Sequence, residues 1–513
     1  MSRPVLPKEC DSIVELFPDG AAEDEAPREA RDLDPADWSR FRRAAHAMLD
    51  DIVTHMETIR ERPVWQATPD SVRERFRQPL PREGRDLEEV LDDVRAHVMP
   101  YAMGNPHPGF MGWVNGAGTP AGMLAEMVAA GLNMNCGARD HIGIEVEKQI
   151  TRWMAEAIGY PADASGVFLT GSSMANFAGL IVARTHAAGY ASRREGLAKA
   201  ASRLVAYTSA EAHNCIPRAM ELSGIGSANL RNIAVDGAGR MDVAALEAAI
   251  RDDRAQGHQP FLIVATAGTV NTGAVDPLER IASVAAREGL WFHVDGAIGA
   301  LAALSPDLRP LFKGIERSDS VALDFHKWGH VPYDAGFLLV RDSEAHRQAF
   351  AMPAAYLQRS ERGLAAGDTW PCDLGPDLSR GFRALKTWVT FETLGADRIG
   401  GAMLGNCELA QYLAQRVRQS ALFELKAPVA LNIVCFGVRG AHDPAFNREL
   451  VLDLHETGIA APSWTTIGGE CVIRCAIVNH RTTRPDIDRM LHSLTSVLLS
   501  RRETAAARSS FQG

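Results

Sequence analysis

At 513 residues the chain exceeds what one compact core organises and implies two or three domains. Its 46% hydrophobic and 23% charged residues are ordinary for a soluble globular protein. A net charge of −10, with scattered basic residues, argues against nucleic acid or an anionic membrane as a partner.

The first residues, 1–35, are polar, acidic and proline-dotted, which predicts an extended arm. Trp38, Phe41, Ala45, Met48, Leu49, Ile52 and Val53 recur every three or four residues and predict an amphipathic helix over 35–61. Leu87, Val90, Leu91, Val94 and Val98 predict a second helix that ends before Pro100. Such helices need a surface to cover, either their own domain or a partner subunit. The expectation is an N-terminal arm and helical dimerisation segment over 1–115.

From 116 to 395 short β-rich runs alternate with alanine-rich helices. Strands are predicted over 166–169, 204–207, 261–265, 290–294, 320–323 and 336–340, with helices such as 243–251 and 278–288 between them. Apolar strands separated by helices make a mostly parallel sheet buried on both faces, with ligands beyond the carboxyl ends of the strands. The region 116–395 is therefore expected to be a large α/β domain. From 396 to 513 the order helix, strand, helix, apolar run over 469–477 and closing helix predicts a small C-terminal α+β domain.

The eight cysteines lack metal-finger spacing. Cys471 and Cys475 share a strand-like run at roughly 13 Å, too far to bond, so the reduced thiols of a cytoplasmic protein are expected. No apolar leader and no run of ~18 apolar residues occurs. His326 and His330 lack a third ligand or zinc motif, so no metal is expected.

The chemistry gathers where the strands end. Asp324-Phe325-His326-Lys327-Trp328 follows the apolar run Val321-Ala322-Leu323. A lysine there is poorly placed as a solvated charge, and lysines are rarely buried without a partner or a task. Desolvation lowers an amine's pKa, which suits a Schiff base with an aldehyde. His293-Val294-Asp295 ends 32 residues before the lysine (327 − 295 = 32). An aspartate ending a second apolar strand supplies what a pyridinium nitrogen needs opposite it. The pair points to pyridoxal 5'-phosphate (PLP).

Other segments agree in order and placement. Thr170-Gly171-Ser172-Ser173 opens a helix with exposed N–H groups suited to a phosphate, although a plain serine N-cap reads the same. His213 suits stacking on a flat ring, or is a surface or core histidine. The loop from Thr266 to Gly273 and the pair Gly296-Ala297 are small enough for close ligand approach.

With these motifs in order, the sequence resembles the group II PLP-dependent amino acid decarboxylases, the family of aromatic L-amino acid, histidine and glutamate decarboxylases. The resemblance runs over 107–483. Beyond the segments above it takes in His107-Pro108, Phe382-Arg383-Ala384-Leu385-Lys386-Thr387-Trp388 and Asn479-His480-Arg481-Thr482-Thr483. It implies PLP-dependent fold type I, aspartate aminotransferase-like, in a homodimer with shared active sites. It implies that Lys327 carries the cofactor as a Schiff base and Asp295 keeps its pyridine nitrogen protonated. His213 and Ala297 would pack on the two ring faces, and Ser172, Ser173 and His326 would hold the phosphate. Thr269 would support Asp295 or the ring. Asp324 stands where many relatives carry asparagine, and an ionised aspartate cannot donate to a phosphate. The implied reaction converts an L-amino acid, aromatic by family default, to the amine and carbon dioxide through a quinonoid, with PLP as electron sink.

Two departures bear on that reaction. Aromatic decarboxylases carry a tyrosine in a mobile loop before the Phe382-Arg383 motif, whereas 363–376 has none and Trp370-Pro371 stand near its place. Relatives with phenylalanine there divert the quinonoid to oxygen, giving aldehyde, ammonia and peroxide. A decarboxylation-dependent oxidative deaminase is therefore the alternative, and a weakly catalytic PLP-binding regulatory protein is a third reading. Aminotransferase chemistry uses the same cofactor. The segment 110–116 replaces an aromatic-rich stretch of the aromatic decarboxylases, and 133–141 is more polar than its counterpart. Trp113 is expected to keep an aromatic wall for the substrate. Arg139 is a candidate for an anionic side chain, with an ion pair to Asp140 or Glu145 as the competing reading.

Overall fold

A computed structural model describes residues 33–197, 203–352, 358–367, 369–441, 443 and 445–510. The arm expected over 1–35 lies outside the described residues as far as position 32. The first strand is the short β1 (Phe110–Met111). It is followed by β2 (Ser165–Leu169), β3 (Leu204–Ser209), β4 (Leu230–Ile233) and β5 (Gln259–Thr266). Then come β6 (Trp291–Asp295), β7 (Ser320–Asp324) and β8 (Gly336–Val340). The C-terminal part adds β9 (Phe423–Leu425), β10 (Ile433–Val438), β11 (Ala461–Ile467) and β12 (Glu470–Ala476).

Seven strands form one sheet in the order β2-β8-β7-β6-β5-β3-β4. The pairs from β4 through β7 are parallel, while β8 runs antiparallel to both β7 and β2. Successive residues of each strand feed opposite faces. Phe168, Tyr207, Ile263, Phe292, Val321 and Leu323 enter one apolar cluster, and Val167, Ala206, Leu262, Val264 and Ala322 enter another. Both faces are core, which is why these strands read as unbroken apolar runs. The mostly parallel α/β sheet expected from the sequence is the one observed.

The second sheet has the order β1-β11-β12-β10-β9 and its own core, including Phe436, Leu450, Ile473 and Ile487. It is antiparallel except where β1 runs parallel to β11, with Phe110 opposite Ala461. The apolar run over 469–477 is thus β12, while β11 was not foreseen. Its second half, Trp464 to Ile467, is exposed or half-buried and lacks an apolar signature.

The two N-terminal helices span Trp38–Glu57 and Leu87–His97. The first stops short of 61 because its last turn tightens into a 3₁₀ turn over Ile59–Glu61. Asp37 and Asp86 cap them by accepting backbone N–H groups of the first turns. Only Ala44 is buried in the first helix and no residue in the second. Trp38, Phe41, Val53, Leu87 and Val90 stand exposed. No helix among the described residues is long and apolar enough to cross a membrane, and the seven described cysteines are free thiols.

Candidate active site

β6 and β7 lie side by side, with Asp295 opposite Ala322. Asp295 ends β6, Asp324 ends β7, and Lys327 follows three residues later. On the other side of β6, Thr266 at the end of β5 stands opposite Asp295. Parallel strands finish at one edge, so these polar side chains reach the same opening beyond an apolar sheet.

The helix Ser172–Ala188, after β2, brings its N-terminus to that edge. Gly336 makes the approach possible, because a Cβ there would collide with the Gly171 backbone. From the opposite side, Gly116 lies so close to the carbonyl oxygens of His326 and Lys327 that no Cβ fits. The result is a cavity of about 260 Å³ whose lining includes Ser172, His213, Asp295, Ala297, Lys327 and Trp113.

The Lys327 ammonium is held by Asp324, with Nζ 2.7 Å from Oδ2. Ser172 donates to the same carboxylate twice, through its backbone N–H to Oδ1 at 2.6 Å and its hydroxyl to Oδ2 at 2.6 Å. Burial is the largest single influence and pushes the lysine pKa down, yet the charge and hydrogen bond of Asp324, with Asp295 and Tyr333 behind them, together outweigh it and the net shift is upward. The expectation that desolvation frees the amine is therefore corrected: in this chain the lysine is an ion-paired ammonium. Burial likewise raises Asp324, but Lys327, His326 and the Ser172 bond together leave it below the usual carboxylate value.

The histidines are held by specific partners. His326 Nδ1 accepts the Ala335 N–H at 2.9 Å, so the neutral ring carries its proton on Nε2, which lies 3.6 Å from Asp324 Oδ1. Its ring packs on Tyr333 with centroids 4.3 Å apart. His213 Nδ1 accepts the Cys215 N–H at 3.2 Å, which again leaves the proton on Nε2. Burial lowers its pKa against an opposing pull from Asp295, so the neutral ring is favoured. His293 lies fully buried beneath the site between Ser320 Oγ and Asn176 Oδ1, and burial pushes its pKa down to about 3. It is a neutral brace between β6, β7 and the Ser172–Ala188 helix.

Four candidates do not line the cavity: His326, which stands behind Asp324, and three others. Ser173 is exposed at the helix start and does not line the cavity. The Thr269 hydroxyl turns into its own loop, accepting the Ala274 N–H at 3.0 Å and meeting the Thr272 hydroxyl at 3.1 Å. Arg139 stacks over Trp370 at 5.2 Å and is not a lining residue of this cavity.

Sequence reasoning missed Ser463, Trp464, Thr465 and Arg474, which line the cavity; Thr266, Asn271 and Asn115 line it too, within segments the sequence had marked only as a small-residue loop and a pocket stretch. Arg474 donates to Val270 O, Asn271 O, Trp113 O and Ser463 Oγ, and it has no carboxylate partner among the described residues. A lone charge inside the apolar run Val472-Ile473-Arg474-Cys475 was the signal that could have revealed it.

Two observations test whether this site fits PLP. Asp295 is 3% exposed and forms no ion pair within 4 Å among the described residues, although it feels the Lys327 charge; Oδ1 accepts the Ala297 N–H at 3.2 Å. Beside it the buried Thr266 hydroxyl has no hydrogen-bond partner. A buried carboxylate and hydroxyl left open beside a lysine are unfavourable unless a polar, cationic group completes them. A protonated pyridine does so.

Fold and site together define a PLP-dependent enzyme of fold type I. Residues 69–439 match the pyridoxal-dependent decarboxylase conserved domain. The chain is 30% identical over 471 residues to an aromatic-L-amino-acid decarboxylase of Bacillus atrophaeus, covering 89% of this chain and 95% of that one. It is 29% identical over 464 residues to a phenylacetaldehyde synthase of Arabidopsis thaliana, covering 87% and 93%. Its fold superposes on the Oryza sativa TDC crystallised with PLP and tryptamine at a TM-score of 0.84 and 25% identity, covering 92% and 100%. The chain belongs to the pyridoxal-dependent decarboxylase family and is a PLP-dependent carboxy-lyase, in a family whose substrates are amino acids.

Proposed function

We propose that this enzyme decarboxylates an aromatic L-amino acid, releasing the amine and carbon dioxide. The observation that carries the reading is Lys327 and Asp295 at the ends of neighbouring strands on one cavity. In this reading Lys327 Nζ anchors the cofactor aldehyde and Asp295 faces the pyridine nitrogen. His213 and Ala297 flank the ring, and Ser172, backed by His326, faces the phosphate, with Ser173 exposed beside that turn. Bound PLP supplies the electron sink for the bond that breaks.

The chain's own groups do the rest. Thr266, rather than Thr269, supports Asp295 through its open hydroxyl. The uncompensated Arg474 guanidinium favours an anionic substrate at the cavity, as an amino acid carboxylate requires. Trp113 and Trp464 give that wall an aromatic surface and cover it from water. His213 Nε2 and Lys327 Nζ are the nitrogen sites from which a proton returns to the substrate carbon.

A second reading is oxidative deamination to an aldehyde. It is favoured by the likeness to an aldehyde synthase, whereas the absence of tyrosine from 363–376 does not decide it, since Tyr356 stands in the same connection before Phe382. Trp370, near the expected tyrosine position, is buried between the Arg139 and Arg359 guanidinium groups and does not substitute for it. Aromatic amino acids supplied to the holoenzyme with and without air separate the two. Amine and carbon dioxide in equal amounts under both conditions support decarboxylation. Aldehyde and peroxide that require air support the second reading.

We also read the chain as a cytoplasmic homodimer, in three working parts over 1–115, 116–395 and 396–513. The free thiols support the compartment, and the uncovered apolar stripes on Trp38–Glu57 and Leu87–His97 support a second copy. A solution mass of one chain would contradict the dimer.

A further inference from the structure

Asp324 takes up the donors that a phosphate would use. Ser172, the first residue of its helix, gives both its N–H and its hydroxyl to the Asp324 carboxylate. A helix N-terminus with a serine hydroxyl is an anion seat, and here the anion is a side chain of the protein itself. The same carboxylate fixes the Lys327 ammonium at 2.7 Å, and the lysine must lose a proton before its amine attacks an aldehyde.

We propose that Asp324 is a resident anion that competes with the cofactor phosphate for Ser172, and so sets how tightly this enzyme holds PLP. The proposal rests on the reading that the Ser172 turn seats the phosphate. The charged and titratable groups around Asp324 are Lys327 and His326 from its own segment, with His213, Cys215 and Tyr333 beyond, and Asp295 drawing on the same Lys327 ammonium. Lys327 is the one cation among them at neutral pH, because burial holds His326 and His213 neutral. A phosphate dianion arriving at Ser172 therefore meets a carboxylate that a single ammonium balances. Like charges at such separations oppose each other strongly in a partly buried site.

The test is a binding titration of the cofactor-stripped full chain with PLP, with pyridoxal (which lacks the phosphate) and with inorganic phosphate. Asp324→Asn keeps the shape, removes the charge and adds a donor. It is expected to tighten PLP and inorganic phosphate by roughly tenfold or more, with a smaller gain for pyridoxal. The pH at which the visible absorbance of bound cofactor reaches half its maximum should also fall, because Lys327 loses the charge that raises its pKa.

Unchanged or weaker PLP binding by Asp324→Asn overturns the proposal, and so do equal gains for PLP and pyridoxal. Asp324→Ser is the second variant if the first does not fold. Ser172→Ala tests the underlying seat separately. It should weaken PLP and spare pyridoxal, and if both ligands bind as before then the phosphate seat itself is wrong.

Discussion

The floor of the cavity comes from one sheet, whereas its wall comes from two. Thr266, Asp295, Asp324 and Lys327 follow the ends of β5, β6 and β7, three neighbouring parallel strands. Their relative heights are set by the hydrogen-bond ladder, and a slip of one residue would turn each side chain to the opposite face. The wall instead gathers Trp113 from after β1, Asn271 from the loop after β5, Ser463 to Thr465 from β11 and Arg474 from β12. Its geometry depends on how the second sheet docks against the first, with Arg474 tying Val270, Trp113 and Ser463 together. On the proposed reading, a floor built this way sets which chemistry is performed, and a wall built that way sets the molecule on which it is performed.

This division can be broken by experiment. The largest effect is expected from Asp295→Asn on the floor. Loss of the carboxylate opposite the pyridine nitrogen should lower kcat by about 10²–10³-fold with little change in KM. Steady-state kinetics on the cofactor-saturated variant reads both constants. A kcat within a few-fold of the parent would remove Asp295 from the chemistry.

A smaller, differently shaped effect is expected on the wall. Trp113→Ala should raise KM for an aromatic amino acid by roughly tenfold and leave kcat within a few-fold, the scale of one lost apolar contact. Trp464, exposed at 39% against 50% for Trp113, should give an effect of similar size when cut back to alanine. If Trp113→Ala lowered kcat as far as Asp295→Asn does, the separation of floor from wall would fail.

The same division explains how much was legible in the sequence. The floor residues sit in short linear motifs behind apolar strands, so His293-Val294-Asp295 and Asp324-Phe325-His326-Lys327 could be placed at one sheet edge before any coordinates. What could not be read was which partner each polar atom takes. The Thr269 hydroxyl closes its own loop and the Thr266 hydroxyl stays open, although both stand in one run of small residues. Nor did burial alone give the state of Lys327, because the Asp324 ion pair and the Asp295 and Tyr333 influences that together outweigh it come from contacts made only in the fold. The wall was largely invisible, since Arg474 and Trp113 are 361 residues apart (474 − 113 = 361) and meet only when β1 pairs with β11. Arg139, chosen from its local sequence, stacks on Trp370 instead.

The central claim is that Lys327 is the residue that binds the cofactor covalently. Borohydride reduction of the holoenzyme, followed by peptide mass analysis, tests it directly. The account predicts one pyridoxyl adduct, on Lys327, that is absent after Lys327→Ala. An adduct on another lysine would contradict it. Lys386 is the informative rival, being buried at 2% exposure and paired with Glu126 at 3.1 Å.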